Sequence, residues 1–175
     1  MARTVVLPRE IDTKTTTLAS RLQEEVHGVL LYSPVQTLCP IDYLLVTGIG
    51  TQSHVQALPR RLDLLNEFFR RNPGYNFVKF HTHSQGTINE FGEYFTNNFS
   101  SGDIRSYEEQ LKTNHDFIGM VVTPRTKLLY APDNPTIRVV DGFPQDANVR
   151  IHQELTDIAR TMGCDLGSLQ ATRKR

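Results

Sequence analysis

The chain has only two cysteines in 175 residues, Cys39 and Cys164. They do not form the close pair of a cysteine metal site and suggest no disulfide framework, so a reduced, cytoplasmic thiol pair is the expectation. Neither sits in a context that marks a nucleophile. No apolar run approaches the length of a membrane span, and the polar N-terminus lacks the hydrophobic core of a signal peptide. Net charge is also missing: 19 basic residues balance 19 acidic ones. The chain as a whole is therefore not drawn toward nucleic acid or membrane, and no such partner is expected. The basic tip Arg173-Lys174-Arg175 reads as a solvated terminus. Linkers and repeats are absent too. The reading is one domain over residues 1–175, with a core from about 13 to 162 and a C-terminal tail at 163–175.

What is present alternates between helix and strand. Leu18 and Leu22 mark a first helix ending near Glu25 or Val26. Val29–Tyr32 and Tyr43–Val46 read as strands, with Pro34 and Pro40 as breakers between them. Pro59 is placed to open a second helix whose apolar face is Leu62, Leu65, Phe68 and Phe69. Asn72-Pro73-Gly74 then turns the chain into an apolar strand, Phe77–Phe80. A helix through Ile104, Tyr107 and Leu111 follows, then strands at Phe117–Val122, Lys127–Tyr130 and Ile137–Val140. The last helix carries Ile151, Leu155, Ile158 and Met162, with Gly163 as its C-cap. Strands joined by both hairpins and helices predict a mixed α/β domain.

The chemistry concentrates at His81-Thr82-His83, which ends the Phe77–Phe80 strand. Side chains alternate along a strand, so histidines at i and i+2 share a face and can share a cation. A carboxylate from a later element completes three N/O ligands, and the open fourth position is what catalytic zinc needs. Downstream, Ser100-Ser101-Gly102-Asp103 offers that carboxylate. Ser-x-x-Asp is also a helix N-terminus signature, and a capping role explains it without any metal.

Glu25, the histidine pair and Ser100-x-x-Asp103, in that order, resemble the motif of the JAMM metalloproteases, the catalytic MPN domains. Glu25-Val26-His27-Gly28-Val29-Leu30-Leu31 fits the family's Glu-x-x-Gly-x-Leu context, with Glu24 out of register. Asp116–Pro124 is similar to the family's strand after the motif helix. Two features depart from the pattern. Ser84 stands where proline is usual, and sixteen residues, Ser84 to Phe99, separate His83 from Ser100 instead of seven. Glu90 and Glu93 lie inside that insertion as fallback ligands. The resemblance implies a curved, partly barrel-like β-sheet flanked by helices. It implies one Zn²⁺ per chain on His81, His83 and Asp103, with Glu25 as general base and Ser100 as oxyanion donor. It further implies hydrolysis of peptide or isopeptide bonds, most often those joining ubiquitin or a ubiquitin-like protein to a lysine. The alternative is a catalytically silent MPN scaffold within a larger protein complex.

Two other metal hydrolases fit less well. PHP-type phosphoesterases open their chain with His-x-His, which here lies mid-chain. Metallo-β-lactamase-like enzymes need Asp at position 85, which is Gln. Of the remaining histidines, His27 reads as a strand-end residue with a satisfied hydrogen bond, and His54, His115 and His152 as surface or loop residues. Phe91, Tyr94, Phe95 and Phe99 are expected to pin the insertion onto the domain or to close as a flap.

Overall fold

The computed structural model describes residues 1–51, 54–58 and 60–166. Strand β1 (Thr4–Pro8) runs directly into helix α1 (Arg9–Arg21), followed by the antiparallel pair β2 (Glu25–Tyr32) and β3 (Leu38–Thr51). β4 (His54–Ala57) pairs antiparallel with the end of β3, and α2 (Arg61–Arg71) leads to β5 (Asn76–Thr82). Next come α3 (Gln85–Phe91), a 3-10 turn (Glu93–Thr96) and α4 (Ser101–Thr113). β6 (Ile118–Val122), β7 (Lys127–Tyr130), β8 (Thr136–Val140) and α5 (Gln145–Thr161) complete the fold.

The strand order β7-β6-β5-β2-β3-β1-β8 places consecutive strands at opposite ends of the sheet. Laid flat, those ends would be about 29 Å apart at normal strand spacing. The link Ala131–Pro135 reaches only roughly 20 Å fully extended. The sheet must therefore curl, and the mixed α/β domain forms a nearly closed, barrel-like surface flanked by helices, the shape that the resemblance implies. Arg3 clasps the closure: its guanidinium donates to both carboxylate oxygens of Asp133, at 2.9 and 2.7 Å. The Thr136 amide donates to the Arg3 carbonyl at 3.0 Å.

The two faces of the sheet bury different clusters. Val5, Leu7, Val26, Leu30, Val78, Phe80 and Met120 fill one face together with Ile11 and Ala19 of α1. Val29, Leu31 and Leu45 face the other way, under Leu64, Leu65 and Phe68 of α2 and Ile151, Leu155 and Ile158 of α5. Tyr107 of α4 builds a third cluster with Phe117 and Val121. Strand alternation then puts Glu25 and His27 of β2, with Lys79 and His81 of β5, on the same side as Val29 and Leu31. His27 and His81 are directly paired in register.

Several sequence expectations need correction. β1 precedes residue 13 yet supplies core residues, and Cys164 and Leu166 pack on the second cluster beyond residue 162. The first helix stops at Arg21, so Glu25 opens a strand. Pro40 lies inside β3, at a position paired with β1 and before the β2 ladder begins at Ile41. Leu62 is 62% exposed, because the buried stripe of α2 is Arg61, Leu64, Leu65 and Phe68. Pro59 and the Arg173–Arg175 tip lie outside the described residues. Among those described, no helix is long and apolar enough to cross a membrane.

Candidate metal centre

β5 and α4 bring His81, His83 and Asp103 together, with ligating atoms all within 4.8 Å of one another. His81 Nε2 lies 2.9 Å from Asp103 Oδ1, and His83 Nε2 lies 3.1 Å from Oδ2. Asp103 sits at the third residue of α4 because Ser100 caps that helix. The Ser100 hydroxyl accepts from the Asp103 amide at 3.1 Å, and the Ser100 amide donates to Asp103 Oδ2 at 2.7 Å. The capping reading of Ser-x-x-Asp is thus correct, and the same residue joins a group that could hold a metal ion. One carboxylate closes the capping box and faces both imidazoles.

The outer nitrogens decide what the inner ones can do. His83 Nδ1 is 3.0 Å from the Phe95 carbonyl, which can only accept, so Nδ1 carries the proton. A neutral His83 then presents a bare Nε2 lone pair to a carboxylate oxygen, and two acceptors at that distance repel. A positive charge has to sit between them, either as a proton or as a metal ion. Burial weakens the charged form of His83, but the hydrogen bonds to Asp103 and Phe95 outweigh it and the pKa is raised. Burial also works against ionised Asp103, yet the hydrogen bonds from His81 and His83 hold its carboxyl well below the usual carboxylate range. His81 Nδ1 in turn meets the Tyr107 hydroxyl at 3.2 Å. Such outer contacts fix ring orientation and tautomer in metal-binding histidines. The donor set, two imidazoles and a carboxylate with their remaining positions open, can bind a metal ion.

Glu25 stands beside this cluster, 3% exposed. Burial pushes its carboxyl pKa up, while His81, the Thr87 hydrogen bond and His83 pull it down, and the net effect is upward. Thr87 of α3 donates to Glu25 Oε1 at 3.0 Å. His27 stacks on His81 with ring centroids 5.2 Å apart, and its Nε2 lies 3.9 Å from Glu25 Oε2. Contrary to expectation, that Nε2 is buried with no hydrogen-bond partner. Burial, with the positive fields of His81 and Lys79, pushes the His27 pKa down to about 3. His115 is an exposed turn residue, His152 on α5 pairs with the Tyr43 hydroxyl at 2.8 Å, and His54 opens β4.

The 84–99 insertion contains α3 and the 3-10 turn Glu93–Thr96. Ser84 caps α3 by accepting from the Thr87 amide, and it donates to the Gln23 carbonyl at 2.7 Å. Phe95 packs edge-on against His83 and gathers Phe91 and Tyr94 around itself, although both of these are exposed. Phe99 instead packs on Tyr107 and Tyr130. Glu90 and Glu93 stay outside the ligand cluster, exposed, and Glu93 pairs with Arg125 at 3.2 Å. Sequence reading missed Thr87, Tyr107 and the Phe95 carbonyl as site groups. The Ser84-x-x-Thr87 cap spacing and the i, i+4 relation of Asp103 to Tyr107 were the available signals.

The chain matches no protein-family model and no curated protein. The solution structure of protein DSY2949 from Desulfitobacterium hafniense is similar, with a TM-score of 0.50 and 14% sequence identity. The match covers 82% of this chain and 97% of that one. At such identity the likeness concerns the fold alone.

Proposed function

We propose that this chain is a zinc-dependent hydrolase of peptide or isopeptide bonds. The observation that supports this best is the convergence of His81 and His83 Nε2 on the two oxygens of Asp103, with both outer nitrogens engaged and Glu25 buried alongside. Zinc held by His81, His83 and Asp103 would polarise the scissile carbonyl and acidify the attacking water. Glu25, its pKa raised by burial, takes the proton from that water as the C–O bond forms. It returns the proton to the leaving nitrogen as the C–N bond breaks, so a carboxylic acid and an amine are released. Ser100 Oγ already accepts from the Asp103 amide, and among the described residues nothing takes its own proton. That proton is free for the developing oxyanion, a contribution typically worth about 3 kcal/mol. The resemblance to JAMM enzymes makes conjugates of ubiquitin or a ubiquitin-like protein the first substrates to try.

The test has two parts. Elemental analysis of the purified protein should find one zinc per chain, and cleavage of lysine-linked conjugates should vanish with chelator and return with zinc. Glu25→Gln should retain zinc and lose turnover. Iron in the site, or a zinc-loaded protein that cleaves no conjugate or peptide, would overturn the proposal. A metal-free protein that takes up no zinc favours the silent scaffold.

A further inference from the structure

We infer that Thr87 is a positioning residue for the general base: its hydroxyl ties down one oxygen of Glu25 and leaves the other to handle the proton. The inference rests on the hydrolase reading above and assigns the 84–99 insertion a role distinct from that of a flap. A glutamate has three side-chain torsions, and an untethered carboxylate spends most of its time misdirected, which reactions that depend on orientation cannot tolerate. Here Thr87 Oγ1 donates to Oε1 at 3.0 Å, and Thr87 and Glu25 are both buried, at 5% and 3% exposure. An ionised carboxylate can only accept, so the direction of the bond is fixed. Oε2 has no such partner: the neutral His27 ring stands with Nε2 at 3.9 Å, too far for a hydrogen bond. Oε2 is therefore the oxygen left to receive the proton from water and pass it to the leaving nitrogen. Thr87 keeps its own proton throughout.

The tether is itself braced. Ser84 holds the first turn of α3 from both sides, donating to the Gln23 carbonyl at 2.7 Å and accepting from the Thr87 amide at 3.1 Å. Gly86 lies so close to Gln23 that a Cβ would stand 2.2 Å from its carbonyl oxygen. The helix is thus seated on the backbone just ahead of Glu25.

Thr87→Val removes the hydroxyl at constant shape, and Thr87→Ser keeps it. In zinc-loaded protein, Thr87→Val should lower kcat about tenfold or more, with KM and zinc content unchanged, while Thr87→Ser restores most of the loss. Wild-type turnover in Thr87→Val, or equal loss in both variants, would overturn the inference. A readout independent of activity is a double-mutant cycle on metal-free protein with Thr87→Val and Glu25→Ala, read as urea midpoints. Non-additive midpoints are expected, and additive ones refute the tie whatever the activity. An inactive zinc-loaded wild type with a non-additive cycle would overturn the hydrolase reading and leave the tie standing.

Discussion

Gly119 of β6 couples the packing of the domain to its candidate metal centre, and Gly119→Ala should damage both. A Cβ at this position would lie 2.7–2.8 Å from three carbons of the Tyr107 ring. Ordinary carbon contacts are about 3.5–4.0 Å, so the ring would have to withdraw by roughly 0.8 Å. Tyr107 is 1% exposed and hemmed in by Phe99, Phe117 and Tyr130, which leaves it little room to do so. Overpacking of this kind costs about 1–3 kcal/mol. Restricting the unfolded chain by losing a glycine gives back about 0.4–1 kcal/mol. The net loss of about 1–2 kcal/mol should lower Tm by roughly 2–8 °C in a domain of this size. The same shift takes the Tyr107 hydroxyl, now 3.2 Å from His81 Nδ1, out of hydrogen-bond range. Loss of such an outer contact weakens metal binding by about 10–100-fold. Chelated protein in a thermal melt measures the first effect, and competition titration against a chromophoric chelator measures the second. Tyr107→Phe removes the hydroxyl alone and should lower zinc affinity with a smaller change in Tm. Unchanged affinity and unchanged Tm in Gly119→Ala would show that Tyr107 neither fills the site nor orients His81.

Ser100→Ala should cost about 1 kcal/mol through the lost helix cap and reduce kcat by about 10²–10³. Ser100→Gly separates the two effects, since glycine caps almost as well; a stable variant that keeps full turnover would remove Ser100 from the chemistry. Gly86→Ala should push α3 away from Gln23 and lower kcat while zinc content holds, so activity equal to wild type would contradict the bracing of Thr87. Asp133 has its pKa lowered to about 2, chiefly by its hydrogen bond from Arg3. A depressed carboxylate stabilises the fold above its unfolded pKa near 4, and that stability fades as pH falls through about 2. Asp133→Asn should therefore be less stable than wild type at pH 5 in urea melts, with the gap closing toward pH 2; a gap that does not change with pH would refute the ion pair.

The site was more legible in the sequence than the frame that carries it. His-x-His on an apolar run is a local pattern, and strand alternation alone puts both rings on one face. Asp103 was legible because Ser-x-x-Asp announces a helix start, and here that start also faces both imidazoles. β1 was not, since five residues beginning Thr-Val-Val have no periodicity to read, and only partners distant in sequence make them a strand. α2 misled because Arg61 takes the first slot of the buried stripe, so hydropathy shifts the apparent face onto Leu62. In the insertion, polar Asn and Glu residues hid a capped helix whose signal was Ser84, noticed only as a missing proline. His27 was misjudged for a related reason: its neighbours on the outer face include Lys79 and His81, which sequence order does not bring together.

β1 lies between β3 and β8, and its partner in β8 arrives 132 residues later in the chain. At ribosomal speeds of about 5–20 residues per second, that interval is roughly 7–26 s. During this time the outer side of β1 is an unpaired parallel edge, open to any extended segment that passes. Residues 25 to 103, which hold Glu25 and the group of His81, His83 and Asp103, emerge within the same interval. A nascent chain can therefore bring His81, His83 and Asp103 out of the ribosome before its own sheet is able to close.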